Sequence, residues 1–265
     1  MTQPEPSDIP VIVLCGGQGT RIREASERLP KPLIDIGGQP ILWHIMKLYG
    51  AHGFRRFILC LGYKAWDIKQ YFLEYQRMMS DLRIETGSGA IDFLDRETLD
   101  DWEVSLVDTG VDTGTGGRID LVRRLIDTDY FMVTYGDGLG DVDLRAELQA
   151  LADSDNIGLV TGVNPTSRYG ELGVEDNMVT NFAEKPSSDG WVSGGFFAFR
   201  RSFLDYVPSD DPEHFFERGP VQAITHEGKL GLFRHTGFWM GMDTYREYTA
   251  LNEMWASGEA AWKLW

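Results

Sequence analysis

Residues 11–21 read Val-Ile-Val-Leu-Cys-Gly-Gly-Gln-Gly-Thr-Arg, and Lys31 follows between Pro30 and Pro32. The run begins as an apolar stretch of strand length and stops abruptly at glycines. Gly16, Gly17 and Gly19 let a ligand approach the main chain, and the N–H groups of such a turn form a concavity that favours phosphate. Arg21, Arg23 and Lys31 add fixed positive charge within reach of the same loop. In a chain of net charge -16 this cluster stands out, and it reads as the cradle of a nucleoside triphosphate. Glycines after a strand also make plain turns; the arginine and the proline-flanked lysine weigh against that here. The loop matches neither common nucleotide motif. A dinucleotide fingerprint from Gly17 needs glycine where Ile22 stands, and no Gly-Lys-Ser/Thr follows as in a P-loop.

Downstream, apolar runs alternate with helical patterns. Strands are expected near 11–14, 33–36, 57–61, 104–107, 131–135 and 158–163, and helices near 40–53, 65–79, 117–126 and 144–152. This alternation implies an α/β, Rossmann-like fold: a mixed, mostly parallel sheet flanked by helices. Beyond residue 163 the texture changes to a hairpin near 172–180, a strand near 194–199, a helix near 212–227, a strand near 230–234 and a last helix near 244–257. The expected organisation is a flexible tail, 1–8, and a single domain, 9–265, with an elaborated C-terminal half. Residues 80–101 read as an inserted loop or hairpin arm, either a flap or a subunit contact.

The charge balance excludes some partners. With 41 acidic against 25 basic residues there is no basic face for nucleic acid. No apolar run approaches the roughly 18 residues of a membrane helix, and residues 1–8 lack the features of a signal peptide. Cys15 and Cys60, both inside apolar runs, read as buried thiols of a reducing compartment, so a cytoplasmic location is expected.

Asp137, in Tyr135-Gly-Asp-Gly138, follows a strand at the edge where parallel sheets bind ligands. A carboxylate there can approach a triphosphate only across a cation. Mg²⁺ suits, because it takes one or two carboxylates plus phosphate oxygens and waters. Asp137 could equally form a turn, and Asp243 could equally cap the last helix. Lys185, before Pro186, is held extended and can project into a cleft, although a lone Lys-Pro is usually solvated loop. Arg118 in Thr115-Gly-Gly-Arg118 starts a helix, where Gly116 and Gly117 would let a base or ribose lie against the backbone. Arg168, in Ser167-Arg-Tyr-Gly170, is similarly ambiguous, and Trp239 and Phe196 are the aromatics expected to wall a sugar pocket.

These strings, with Pro40–Met46, Gly62-Tyr-Lys64, Leu106–Gly110, Gly194-Gly-Phe-Phe197, Gly237-Phe-Trp239 and Met242-Asp-Thr244, occur in one order. In that order the chain resembles the sugar-1-phosphate nucleotidyltransferases over about residues 9 to 265, above all the branch that joins CTP to glucose 1-phosphate. The resemblance implies the nucleotide-diphospho-sugar transferase fold, Mg²⁺ on Asp137 and Asp243, and a homo-oligomer acting on a nucleoside triphosphate and a sugar 1-phosphate. It assigns the nucleotide to Leu14, Gly16, Gly17, Gly19, Thr20, Arg21, Lys31, Thr115, Gly116, Gly117 and Arg118. It assigns the sugar phosphate to Tyr135, Gly170, Glu184, Lys185, Ser193, Gly194 and Trp239, with Arg21, Lys31, Asp137 and Lys185 carrying the catalysis. Three places depart from that branch. Ser193 replaces an Asn, Gly219 a Glu, and Met240-Gly241 a Gln-Pro pair, all expected around the sugar.

Overall fold

The computed structural model describes residues 4–17, 29–94, 100–164, 171–175, 178–183 and 190–265. A short 3-10 turn (Pro6–Asp8) leads into β1 (Pro10–Leu14), which ends at the glycine loop. A second turn (Lys31–Leu33) leads to a two-stranded ladder of β2 (Asp35–Ile36) and β3 (Gln39–Pro40), then to α1 (Ile41–Ala51) and β4 (Arg56–Leu61). Two helices, α2 (Ala65–Leu73) and α3 (Tyr75–Met79), precede a hairpin of β5 (Leu82–Glu85) and β6 (Ala90–Phe93). The alternation resumes with β7 (Glu103–Asp108), α4 (Thr115–Val122), β8 (Tyr130–Tyr135), β9 (Gly138–Gly140), α5 (Leu144–Ala152) and β10 (Gly158–Val163). The C-terminal half adds a hairpin of β11 (Glu171–Glu175) and β12 (Met178–Ala183), then β13 (Val192–Arg200), α6 (Pro220–His226), β14 (Leu230–His235), β15 (Trp239–Gly241) and α7 (Tyr245–Ser257).

Among the described residues seven strands form the central sheet, in the order β14-β10-β13-β8-β1-β4-β7. β8, β1, β4 and β7 run parallel, and β13 is antiparallel to both of its neighbours, which makes the sheet mixed. Leu14 lies opposite Cys60 on one side and Tyr135 on the other, so β1, β4 and β8 end level. The turns that follow them therefore share one edge, the carboxyl edge where such sheets bind ligands.

Alternate residues of β1 enter different cores, as the period of a strand requires. Val11 and Val13 pack with Ile45, Tyr49, Leu59 and Leu148 on one face; Ile12 and Leu14 pack with Ile58, Ile119, Val133 and Phe199 on the other. A sheet buried on both faces explains why its strands read as continuous apolar runs. The chain end is locked to α1 through His44. Its Nε2 meets Ile36 O at 2.8 Å, and the Trp262 indole N–H donates to Nδ1 at 3.3 Å. Burial pushes the His44 pKa down to about 4, so the ring is neutral and can accept that bond.

Three helices depart from expectation. The helix expected over 65–79 breaks at Glu74, and Tyr75 turns so that its phenol accepts from Trp43 Nε1 and donates to Asp100. The helix expected over 117–126 starts at Thr115 and tightens to a 3-10 turn at Arg123–Leu125. That expected over 212–227 is helical only from Pro220 to His226. Residues 212–219 instead give backbone carbonyls to the start of α4.

Candidate active site

β8 carries Asp137 to the carboxyl edge through Gly136, whose N–H donates to Leu14 O at 3.2 Å. β9 then pairs antiparallel with β15, placing Gly138 opposite Gly241, and Met242 N–H donates to Asp137 O at 2.8 Å. This pairing sets Asp243 beside Asp137 across a sequence gap of more than a hundred residues. The last helix is capped by Thr244, not Asp243: Thr244 Oγ1 and Glu247 form a reciprocal capping box. Glu247 also accepts from Asp243 N–H at 2.7 Å, which fixes the backbone that presents the Asp243 side chain.

Lys31 comes from the other side, at the start of the 3-10 turn that Pro30 and Pro32 frame. Its ammonium donates to Asp137 Oδ2 at 2.6 Å and to Asp243 Oδ1 at 2.8 Å. Burial alone would lower the Lys31 pKa. The charge and hydrogen bond of Asp137, then those of Asp243, outweigh it and hold the pKa above its ordinary value. Lys31 is thus a fixed cation between two carboxylates.

That arrangement tests whether a divalent metal suits the place. The two carboxylates are held together by backbone pairing, and the position between them already accepts positive charge. Among the described residues there is no cluster of three or more potential ligands, so the pair alone could not build a closed cage. Two carboxylates with the remaining ligands from phosphate and water match Mg²⁺. The donor set fits.

Beside the carboxylates an open cleft with roughly 380 Å³ of free space is lined by Tyr135, Asp137, Ser193, Gly194, Trp239 and Asp243, among others. The Trp239 indole donates to Gly194 O at 2.7 Å. Gly195 has a φ of +80°, and a Cβ there would lie 2.7 Å from the Tyr135 ring, so only glycine lets that ring close on β13. Ser193 and Gly241, two of the three departures from the branch pattern, line this cleft. Phe196 does not: it is fully buried, its ring 6.3 Å from that of Tyr49, and belongs to the core. Both faces of β13 are covered, so its pattern gave no sign of which residues reach the cleft.

The residues expected to hold the nucleotide are packed differently from the sequence expectation. Leu14, Gly16 and Gly17 lie at the mouth of β1, where Gly16 O accepts from Tyr63 N–H at 3.2 Å. Gly116 and Gly117 do not face open space. A Cβ on Gly116 would lie 2.1 Å from the His214 ring and one on Gly117 2.1 Å from Pro212 O. Their N–H groups donate to His214 O, so this chain segment occupies the approach that a base or ribose was expected to use. Arg118 is 4% exposed, and its guanidinium donates to Leu61 O, Thr109 Oγ1, Gly110 O and Gly16 O. In this state it braces the ends of β1, β4 and β7 from behind the loop. Cys15 and Cys60 are buried thiols; burial raises both pKa values, Cys60 to about 12.

Arg21, Arg23, Gly19, Thr20, Arg168, Gly170, Glu184 and Lys185 lie outside the described residues. One residue that the sequence reading passed over is Glu217, which bonds both Thr115 and Tyr135. Nothing in Phe216-Glu-Arg-Gly-Pro220 marks it.

A profile of the family described as Nucleotidyl transferase matches residues 10–256. A probable glucose-1-phosphate cytidylyltransferase of Bacillus subtilis is 41% identical over 96% of this chain and 99% of its own length. A glucose-1-phosphate cytidylyltransferase of Salmonella typhi is 39% identical over 96% and 98%. Among solved structures, HddC from Yersinia pseudotuberculosis complexed with GMP-PN aligns with a TM-score of 0.64 at 23% identity, over 93% of this chain and 99% of that one. A putative glucose-1-phosphate thymidylyltransferase from Bacillus anthracis aligns with a TM-score of 0.67 at 16% identity, over 93% and 94%. At those identities the two structures speak for the fold alone.

Proposed function

Since the chain belongs to the nucleotidyl transferase family, we propose that it condenses CTP with glucose 1-phosphate or a related sugar 1-phosphate, giving the nucleoside diphosphate sugar and pyrophosphate. The observation that carries this reading is the meeting of Lys31, Asp137 and Asp243, 106 and 212 residues apart, within 2.8 Å at the carboxyl edge of the sheet. Near-full-length relatives named for that reaction support the choice of substrates.

In this reaction a phosphate oxygen of the sugar 1-phosphate attacks the α-phosphorus, and the bond to the bridging oxygen breaks as pyrophosphate leaves. No covalent enzyme intermediate is needed, so the protein contributes positioning and charge. Lys31 stabilises the negative charge that builds on the α-phosphate. Asp137 and Asp243 would hold Mg²⁺, which supplies charge neutralisation to the phosphate oxygens. Arg21 and the glycine loop hold the leaving phosphates, Lys185 offsets the charge of the incoming one, and Glu184 takes sugar hydroxyls. Tyr135, Ser193, Gly194 and Trp239 shape the space for the sugar. We place the whole reaction in one domain, 9–265, of a cytoplasmic homo-oligomer. Among the described residues no helix is long and apolar enough to cross a membrane.

Pyrophosphate release measured over a grid of nucleoside triphosphates and sugar 1-phosphates tests this. CTP with glucose 1-phosphate or a close relative should be the fastest pair. The panel needs sugars other than glucose because Ser193 and Gly241 stand in the cleft. Release confined to another base overturns the CTP assignment, and no release with any pair overturns the reaction.

A further inference from the structure

Residues 212–219 reach both the start of α4 and the Tyr135 wall of the cleft. Pro212 O accepts from Gly114 N–H at 2.9 Å and His214 O from Gly116 N–H at 3.0 Å, at the start of α4. Three residues on, the Glu217 carboxylate makes two bonds. Oε2 accepts from the Thr115 hydroxyl at 2.5 Å, and Oε1 accepts from the Tyr135 phenol. Thr115 is the first residue of α4, which the resemblance assigns to the nucleotide; Tyr135 ends β8, two residues before Asp137, and walls the cleft. The Thr115 oxygen also accepts from Phe216 N–H at 3.2 Å, so its position is fixed from two directions.

A carboxylate only accepts hydrogen bonds, so the phenol proton is committed to Glu217. The phenol oxygen retains only acceptor capacity, so whatever meets it must donate. We infer that Glu217 is a positioning residue that ties the nucleotide-side helix to the acceptor-side wall and sets Tyr135 to receive a sugar hydroxyl. Glu217 touches no reacting atom; it acts through Tyr135 and Thr115.

The inference rests on the transferase reading for the identity of the ligands, so its test is a binding measurement that needs no turnover. Calorimetric titration of glucose 1-phosphate and, separately, of CTP into wild type, Glu217→Gln, Tyr135→Phe and the double variant reads it. Glu217→Gln keeps the volume but presents an amide NH₂, with two donor hydrogens, where the carboxylate has none. It should weaken sugar phosphate binding about tenfold or more, with CTP affinity within about twofold. The double variant should lose no more than the worse single one, because both break the same link. Thr115→Val removes the other donor and should also weaken sugar phosphate binding, although it sits on the nucleotide side; it carries the test if Glu217→Gln does not fold. Sugar phosphate affinity unchanged in Glu217→Gln or Thr115→Val overturns the inference, as does a double variant whose losses multiply. Equal loss of both affinities with a lowered Tm overturns it too, since that is the mark of a purely structural brace. A wild type that binds sugar phosphate but releases no pyrophosphate counts against the reaction and leaves the Glu217 result to be read independently.

Discussion

The Lys31 side chain, 12% exposed, is more enclosed than the carboxylates of Asp137 and Asp243, at 37% and 39%. A buried ammonium is costly unless paired, and here two anions pair it. The same ammonium bonds both carboxylates proposed to hold Mg²⁺, so in the free protein it would compete with that ion. Two outcomes follow for Lys31→Met. Removing the charge from the α-phosphate should lower kcat by about a hundredfold or more, the usual scale for one charge-stabilising donor. Nucleotide-free protein should bind Mn²⁺ about tenfold more tightly than wild type, because two facing carboxylates lose their fixed partner. Electron paramagnetic resonance of free Mn²⁺ measures the second directly. Equal Mn²⁺ affinity in the two proteins would show that Lys31 does not compete for the carboxylates.

At the scale of elements, α5 is the helix whose limits sequence and structure share, because its apolar residues recur on one face and Asp143 caps its start. That face also carries Glu147, fully buried, with Thr161 donating to Oε1 at 2.9 Å and the other oxygen without a partner among the described residues. Burial, only partly offset by the Thr161 bond, raises its pKa to about 8. The folded pKa lies above that of an unfolded carboxylate, so the stability tied to the protonated form is complete below the unfolded value, about pH 4.3, and is lost as pH rises through about 8. Thermal melts of wild type should fall between about pH 5 and pH 9 more steeply than those of Glu147→Gln, which cannot ionise; the difference is of the order of a few kcal/mol. Parallel curves for the two proteins would place the proton elsewhere. Other elements show where the sequence stops being legible. β1, α5 and β10 could be read because period and caps are local. Residues 212–219 could not, because their carbonyls are spent on α4, about a hundred residues away in sequence. Lys31 stood out for its charge beside the glycine loop and Asp137 for its place after a strand, whereas Asp243 gained its weight from motifs whose order carried a resemblance. Glu217 stood in none, and its role exists only through partners 82 and 102 residues away.

Across the whole molecule, 41 acidic residues face 25 basic ones, and both proposed substrates are anions. The far field of a chain with net charge -16 repels them, while Lys31 at the carboxyl edge attracts them at close range. The two fields differ in reach, and salt separates them. The Debye length is about 30 Å at 0.01 M and about 8 Å at physiological ionic strength. At low salt charges spread over much of the surface still act on an approaching phosphate. Near physiological ionic strength only charges close to the cleft act on an approaching phosphate, and the partly buried Lys31 is screened least. Raising sodium chloride from about 0.01 to about 0.15 M at fixed free Mg²⁺ should therefore increase kcat/KM for the sugar phosphate. kcat should stay nearly constant, because the partly buried Lys31 that acts on the reacting phosphate is screened least by added ions. This is the opposite of the salt response of a protein whose overall charge steers its ligand in. A kcat/KM that falls steadily over that range would mean that the cationic cradle, not the acidic surface, governs the approach of the substrates from the outset.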